Sequence, residues 1–311
     1  MDATTTPVYV VGAGAIGMPL AALLSAQGRS ALAVRTSARD RPESDMTVTV
    51  EPEDGGPIEA RVRAIPLSAL RDPEPGILAV TIKATANRAV AAELWRRFGD
   101  MPLVVMQNGL GVERPFTEAG FTAVYRCVLY ATGQVVGEHA YRFREVAESP
   151  VGTAGGNAAG AETIVQALST PRFRFRATDA IQREAWKKAI INAAFNSICP
   201  LLDVDNGIFH RDEQAARIAE TVVAESRAVA ARLGIPFEQH ELMEQLLRIS
   251  QGSDGQLIST LQDIRANRET EIGYLNLEIA RLAAGLEPPE DVRTVRVLGE
   301  MVAAKSGITH R

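Results

Sequence analysis

The chain has 311 residues, enough for two domains; 46% are hydrophobic, 23% are charged and the formal net charge is −5, an ordinary soluble composition with no basic footprint for nucleic acid. No apolar run reaches the ~18 residues of a membrane span, and the start MDATTTP lacks the basic and apolar regions of a signal peptide. Cys127 and Cys199 form no motif and the four histidines are scattered, so the expectation is a reducing cytoplasm and no metal site.

In chain order, Val8–Val11 reads as a short buried strand, Ile16–Gln27 as a helix ended by Gly28, and Ser30–Arg35 as the next strand. A loop-rich stretch from Ser37 to Pro75 holds strand-like pieces at Met46–Val50 and Ile58–Ile65. Ile77–Ile82 and Pro102–Met106 are further strands, with a helix over Ala86–Phe98 between them. This alternation predicts an α/β fold with a parallel sheet and helices on both faces. From about Phe121 to Ile181 the pattern is strand-rich, with a turn at Gly155-Gly156 and an edge strand in Arg172–Arg176 (RFRFR). Beyond Asp179 helical periodicity dominates. Helices are expected over Asp179–Ile198, Asp212–Leu233 and Thr270–Ala284. The domain boundary is placed near residue 180: 1–180 a Rossmann-type dinucleotide-binding domain, 181–311 a mainly helical substrate domain.

The loop between the first strand and helix is Gly12-Ala13-Gly14-Ala15-Ile16-Gly17. In this context G-x-G-x-x-G is a dinucleotide fingerprint. Gly12 permits the tight turn, Gly14 the approach of a pyrophosphate, and Gly17 close helix–strand packing, with the helix N-terminus facing the anion. Arg35 stands 18 residues beyond Gly17, where NAD enzymes usually carry an acid. A guanidinium there suits a 2′-phosphate, so NADP is expected; the alternative is an arginine solvated at the sheet edge. Lys83 in VTIKAT and Asn108 in MQNGLG follow two strands. Both fall at the ligand-binding edge of such a sheet; the alternatives are a lysine solvated at a strand end and a plain Asn-Gly turn.

Lys188, Asn192 and Asn196 recur at i, i+4, i+8 in WKKAIINAAFN. They share one stripe of an otherwise apolar helix. Buried asparagines need hydrogen-bond partners, which either a polar substrate or a structural network can supply. A partly shielded lysine can protonate the oxygen formed when hydride reaches a carbonyl carbon. Ser259 and Glu271, 12 residues apart in ISTLQDIRANRETEIGYLN, converge only if the backbone breaks near Ala266-Asn267-Arg268, with Thr270 capping a new helix. Otherwise they are surface residues.

Taken together, GAGAIG, Arg35, TIKA, QNGLG, WKKAIINAAFN, DNG at 205–207 and STLQDIRANRETEIGYLN resemble the ketopantoate reductases (2-dehydropantoate 2-reductases) over nearly the whole chain. The resemblance implies NADPH-dependent reduction of 2-oxo-pantoate to pantoate, on the route to pantothenate and coenzyme A. It implies a Rossmann domain and a helical domain with substrate in the cleft. By motif, Lys188 is similar to the family's general acid, and Asn192, Asn196, Asn206 and Ser259 to its substrate-binding residues. Glu271 is similar to the glutamate that helps hold substrate and lysine, and Lys83 and Asn108 resemble its cleft residues. The chain departs from the family pattern in four places: Ser197 follows Asn196, Gln256 replaces an asparagine, Ala86 replaces a glutamine, and TEIGYLN stands for TEIDYING. The reaction class is therefore better specified than the 2-oxo acid. The alternatives are a reductase of another 2-oxo or 3-oxo acid and an NADP-sensing regulator without turnover. The apolar C-terminal helices leave room for a homodimer.

Overall fold

Strand β1 (Val8–Val11) is buried at every position, as expected of a strand covered on both faces. Its side chains alternate. Val8 and Val10 join the core under helix α1 (Gly17–Ala26), while the Tyr9 ring meets Phe98 of helix α2 (Asn87–Phe98) at 5.0 Å. The period of two thus sets one helix on each face. This computed structural model describes residues 5–36, 42–155 and 160–309. The expected turn at Gly155-Gly156 runs into residues outside that range.

The chain divides into two compact units, Met1–Gln107 with Val112–Ile181, and Asn108–Gly111 with Gln182–Arg311. The sequence reading drew one cut near residue 180. The structure differs in assigning the tetrapeptide Asn108–Gly111 to the second unit.

In the first unit, β2 (Ala31–Arg35), β4 (Ile58–Pro66), β5 (Ile77–Val80), β6 (Leu103–Val105) and β7 (Val124–Cys127) join β1 in the order β4-β2-β1-β5-β6-β7, every neighbouring pair parallel. This is a doubly wound arrangement. The chain changes direction across β1, which leaves the crevice at the carboxyl ends of the strands. The sheet is not wholly parallel, however. β3 (Ser44–Pro52) and β4 form an antiparallel pair, and so do β10 (Ser149–Gly155) with β7 and β8 (Ala131–Gly137) with β9 (Ala140–Glu145). β3–β4 and β8–β9 are consecutive strands, which pair antiparallel without a crossover helix, and β10 returns beside β7 after the β8–β9 hairpin. Edge strand β11 (Phe175–Ala177) completes the eleven strands among the described residues; it is shorter than the strand expected over Arg172–Arg176, and before it Phe173 only bridges back to Thr170, yet Phe173 and Phe175 are buried and Arg172, Arg174 and Arg176 exposed. Two short helices, α3 (Arg114–Ala119) and α4 (Ala161–Leu168), also belong here; α4 lies within the stretch expected to be strand-rich.

The second unit is helical: α5 (Ile181–Leu202), α6 (Ile208–Arg211), α7 (Glu213–Arg232), α8 (Gln239–Gly252), α9 (Ser259–Arg265), α10 (Asn276–Ala284) and α11 (Arg293–Thr309). Asp212 caps α7 by accepting from the Ala215 amide at 2.8 Å. The Phe195 and Phe209 rings join α5 to α6 edge-on at 4.8 Å. The helix expected over Thr270–Ala284 is shorter: a single 3₁₀ turn spans Ile272–Tyr274, and α10 begins only at Asn276. Among the described residues no helix is long and apolar enough to cross a membrane, and no group of three or more metal-ligating side chains gathers.

Candidate active site

The glycine loop of the first unit is shaped by two steric constraints. Gly12 has φ +123°, and a Cβ there would lie 2.7 Å from Thr81 Oγ1 and 2.8 Å from the Ile82 nitrogen. A Cβ on Gly17 would lie 1.9 Å from the Gly12 carbonyl oxygen. Thr81 reinforces the turn by donating its hydroxyl to that same oxygen at 3.0 Å. Gly14 is different: it is exposed, and a Cβ there would meet nothing within 4 Å. The protein's own packing does not require glycine at 14, whereas a phosphate lying on the backbone would. Helix α1 has neither a capping side chain nor an acid in its first turn, and Ala13, Ala15 and Ile16 are half-buried around the opening. Its N-terminal amides and partial positive charge suit an anion, so the loop fits a dinucleotide pyrophosphate. Gly133 of β8, where a Cβ would lie 1.9 Å from the Ala15 carbonyl, packs against the loop and was not apparent from the sequence.

Arg35 ends β2 and is half-buried. Its guanidinium donates to Ser44 Oγ at 3.4 Å, to the Ala64 carbonyl at 3.2 Å and to the Pro42 carbonyl. The side chain lies along the strand-end carbonyls rather than standing free in solvent. Lys83 is exposed and precedes the 3₁₀ turn Ala84–Ala86 at the end of β5.

A second cluster lies wholly in the second unit. Asn108, Asn192, Asn196, Ser259, Thr260, Asp263, Glu271 and Leu275 line a small pocket open to solvent. Seven of the eight are polar. Helix α5 supplies Asn192 and Asn196 on successive turns. Asn196 is buried, donates its amide to the Asn192 carbonyl at 3.0 Å, and accepts from Thr260 Oγ1 at 2.7 Å and Ser259 Oγ at 3.5 Å. Its partners are therefore its own chain; it ties the start of α9 to α5. Asn192 and Asn108 are half-buried, and among the described residues neither carboxamide has a side-chain hydrogen bond.

Glu271 reaches this pocket because α9 ends in a Schellman motif. Asn267 takes the left-handed φ of +52°, its amide donates to the Ile264 carbonyl at 3.0 Å, and the Arg268 amide donates to the Asp263 carbonyl at 2.8 Å. Arg268 Nε also donates to Asp263 Oδ1 at 2.9 Å across the turn. The expected break at Ala266–Arg268 is thus present. Thr270 does not cap a helix there; Glu271 leads into the 3₁₀ turn instead. Thr260, Asp263 and Leu275 were missed by the sequence reading. The signal for Asp263 was available, since it lies one helical turn beyond Ser259.

Two expected residues are not among those lining the pocket. Lys188 lies one turn before Asn192 on the same helical stripe and is half-buried. Asn206 is buried outside the pocket. Its backbone N–H donates to the Gln256 carbonyl at 2.9 Å, its backbone carbonyl accepts from Ser250 Oγ at 2.7 Å, and among the described residues its side-chain Oδ1 has no hydrogen-bond partner. Lys187, next to Lys188, points elsewhere and pairs with Glu241 at 2.6 Å, which holds the Glu241 carboxyl below its ordinary value.

Comparison with known proteins matches both halves of the chain. Residues 8–154 match the family model described as ketopantoate reductase PanE/ApbA, and residues 180–306 match its C-terminal counterpart. The chain is 27% identical to the 2-dehydropantoate 2-reductase of Archaeoglobus fulgidus over 88% of this chain and 90% of that one. It is 25% identical to the enzyme of the same name from Pyrococcus horikoshii over 91% and 93%. Among solved structures, a PanE/ApbA family ketopantoate reductase from Ralstonia eutropha JMP134 superposes with a TM-score of 0.83 at 19% identity, covering 98% of this chain and all of that one. D-mandelate dehydrogenase with NADH and anilino(oxo)acetate superposes with a TM-score of 0.84 at 21% identity and the same coverage, so the fold is shared by both. With family models on both halves and full-length relatives of one name, the chain belongs to the ketopantoate reductase PanE/ApbA family of oxidoreductases.

Proposed function

We propose that the protein reduces 2-dehydropantoate to pantoate with NADPH. The observation that carries this reading is the pocket that gathers Asn108, Asn192, Asn196, Ser259 and Glu271 from segments distant in sequence. A dihydronicotinamide cofactor, when bound, would supply the hydride for C2 of the 2-oxo acid. Lys188 donates the proton to the C2 oxygen and regains one from solvent. Asn108, Asn192 and Ser259 donate to the substrate carboxylate and carbonyl, and Glu271 accepts from the substrate hydroxyl. Asn196 acts one step back by holding Ser259 and Thr260. The Asp263 carboxylate is balanced by Arg268, which limits its repulsion of an anionic substrate. A lining with seven polar residues and one leucine favours a hydroxylated aliphatic chain over an aryl group. The glycine loop and Arg35 are assigned to the pyrophosphate and the 2′-phosphate.

A second reading is NADH use. It is favoured by the contacts of Arg35 with the Pro42 and Ala64 carbonyls, which occupy part of its donor set, and the similar fold of D-mandelate dehydrogenase was solved with NADH. Initial rates with each cofactor, measured on 2-dehydropantoate and on phenylglyoxylate, separate the readings. Steady oxidation of NADPH with 2-dehydropantoate supports the proposal, and turnover of phenylglyoxylate alone overturns it. Binding of NADPH without turnover of any 2-oxo acid indicates a sensor.

A further inference from the structure

The segment that carries Asn108 into the pocket is held at both roots by one buried side chain. Asn108-Gly109-Leu110-Gly111 belongs with the second unit, while its neighbours Gln107 and Val112 belong with the first. Gly109 and Gly111 both take left-handed backbone, φ +97° and +67°. Such a glycine-rich turn is permissive and has much conformational freedom to lose. On the second unit it is met by Tyr274, whose carbonyl accepts from the Leu110 amide at 2.7 Å.

At its base stands Asn87, the first residue of α2, with no exposed surface. Asn87 Nδ2 donates to the Val112 carbonyl at 2.8 Å and to Gln107 Oε1 at 3.2 Å, and Asn87 Oδ1 accepts from Gln107 Nε2 at 2.5 Å. Both of its amide hydrogens and its oxygen are thereby engaged. An apolar pair would fill the same volume without desolvating two carboxamides. What the pair adds is direction: three bonds fix where the tetrapeptide leaves and re-enters the first unit. Asn87 also follows the turn led by Lys83, so the same clamp ties the loop after β5 to the loop after β6.

We propose that Asn87 and Gln107 are positioning residues for the pocket, closing the base of Asn108–Gly111 so that the Asn108 carboxamide is presented in one orientation. Its kinetic consequence rests on the pocket being a 2-oxo acid site; the clamp itself does not.

The test uses the full chain as wild type, Asn87→Ala, Gln107→Met and Asn108→Ala. Hydrogen exchange is read at the peptide containing Leu110. Losing the clamp should speed its exchange by roughly tenfold or more, with peptides from β1 and α7 unchanged. For 2-dehydropantoate, KM should rise roughly tenfold in Asn87→Ala, with the Kd for NADPH within about twofold. Combining Asn87→Ala with Asn108→Ala should add little to Asn108→Ala alone, because both act through one carboxamide. Multiplying effects, or wild-type exchange at Leu110 in both clamp variants, overturn the proposal. If Asn87→Ala does not fold, Gln107→Met decides by the same readings. A wild-type enzyme inactive on 2-dehydropantoate refutes the proposed function, and the exchange measurement still judges the clamp.

Discussion

Thr260 and Ser259 are adjacent hydroxyl residues whose substitution should separate stability from catalysis. Thr260 Oγ1 donates to Asn196 Oδ1 at 2.7 Å, and each residue is 3% exposed. Thr260→Val keeps the shape and removes the donor. Asn196 Oδ1 then retains only Ser259 Oγ at 3.5 Å, beyond the length of a good hydroxyl bond. A buried acceptor stripped of its partner costs about 1–3 kcal/mol. Ser259 is exposed and its bond to Asn196 is long, so Ser259→Ala should change stability by less than about 0.5 kcal/mol. Catalysis should respond in the opposite order: Ser259→Ala raises KM for the 2-oxo acid roughly tenfold by removing a donor to its carboxylate. Denaturant unfolding followed by Trp186 emission, in a Trp95→Phe background, reads the second unit, because Trp186 lies buried on α5. Steady-state kinetics supplies the other half. An unchanged unfolding midpoint for Thr260→Val, or equal destabilisation by both substitutions, would refute the assignment of Asn196 as a tie between α5 and α9.

Arg35→Ala should erase most of the preference for NADPH over NADH, itself about one to two orders of magnitude in kcat/KM, because a charge-assisted contact is worth roughly 1.5–3 kcal/mol; equal use of both cofactors by the wild type would show that Arg35 serves only β3 and β4. Lys188→Ala should lower kcat by roughly 10²–10⁴ with NADPH still bound, whereas Lys187→Ala should leave kcat nearly unchanged. The Glu241 carboxyl is depressed chiefly by the Lys187 hydrogen bond, so that pair stabilises the fold above the ordinary carboxyl value of 4.5 and the contribution fades as pH falls through the lower folded value. Acid titration of stability should therefore be shallower in Lys187→Ala, and identical acid profiles would count against the pair. Asn267→Gly should be neutral or slightly stabilising at the left-handed position, while Asn267→Val should cost about 1–2 kcal/mol and lower kcat/KM by displacing Glu271; a valine variant with wild-type kinetics would detach the Schellman turn from catalysis.

Local pattern was sufficient wherever the chain's own neighbours set the outcome. β1 could be read to the residue because four consecutive apolar positions before a glycine turn leave few alternatives. Gly12 and Gly17 were readable for the same reason: the clashes that exclude a side chain there come from within the β1–α1 unit and the adjoining Thr81–Ile82. The stripe of Lys188, Asn192 and Asn196 followed from helical geometry alone. Periodicity could not say which polar groups on that stripe face ligand and which face protein. Asn196 proved to be satisfied by Thr260, a residue 64 positions away. The antiparallel pairs of the sheet were likewise out of reach, since pairing partners are chosen by closure of the whole sheet and not by the strand itself.

The sequence by itself determined the doubly wound first unit, the glycine loop, the helical second unit and the polar stripe on an otherwise apolar α5. Their convergence belongs to the tertiary structure. Ser259 and Glu271 would point about 120° apart on one straight helix, and they share a pocket only because a Schellman turn at Asn267 and the Arg268–Asp263 bond fold the chain back. Asn108 joins them only because its tetrapeptide belongs with the second unit. Contacts of this kind depend on partners distant along the chain, and local propensity carries no information about them until the backbone has brought those partners together.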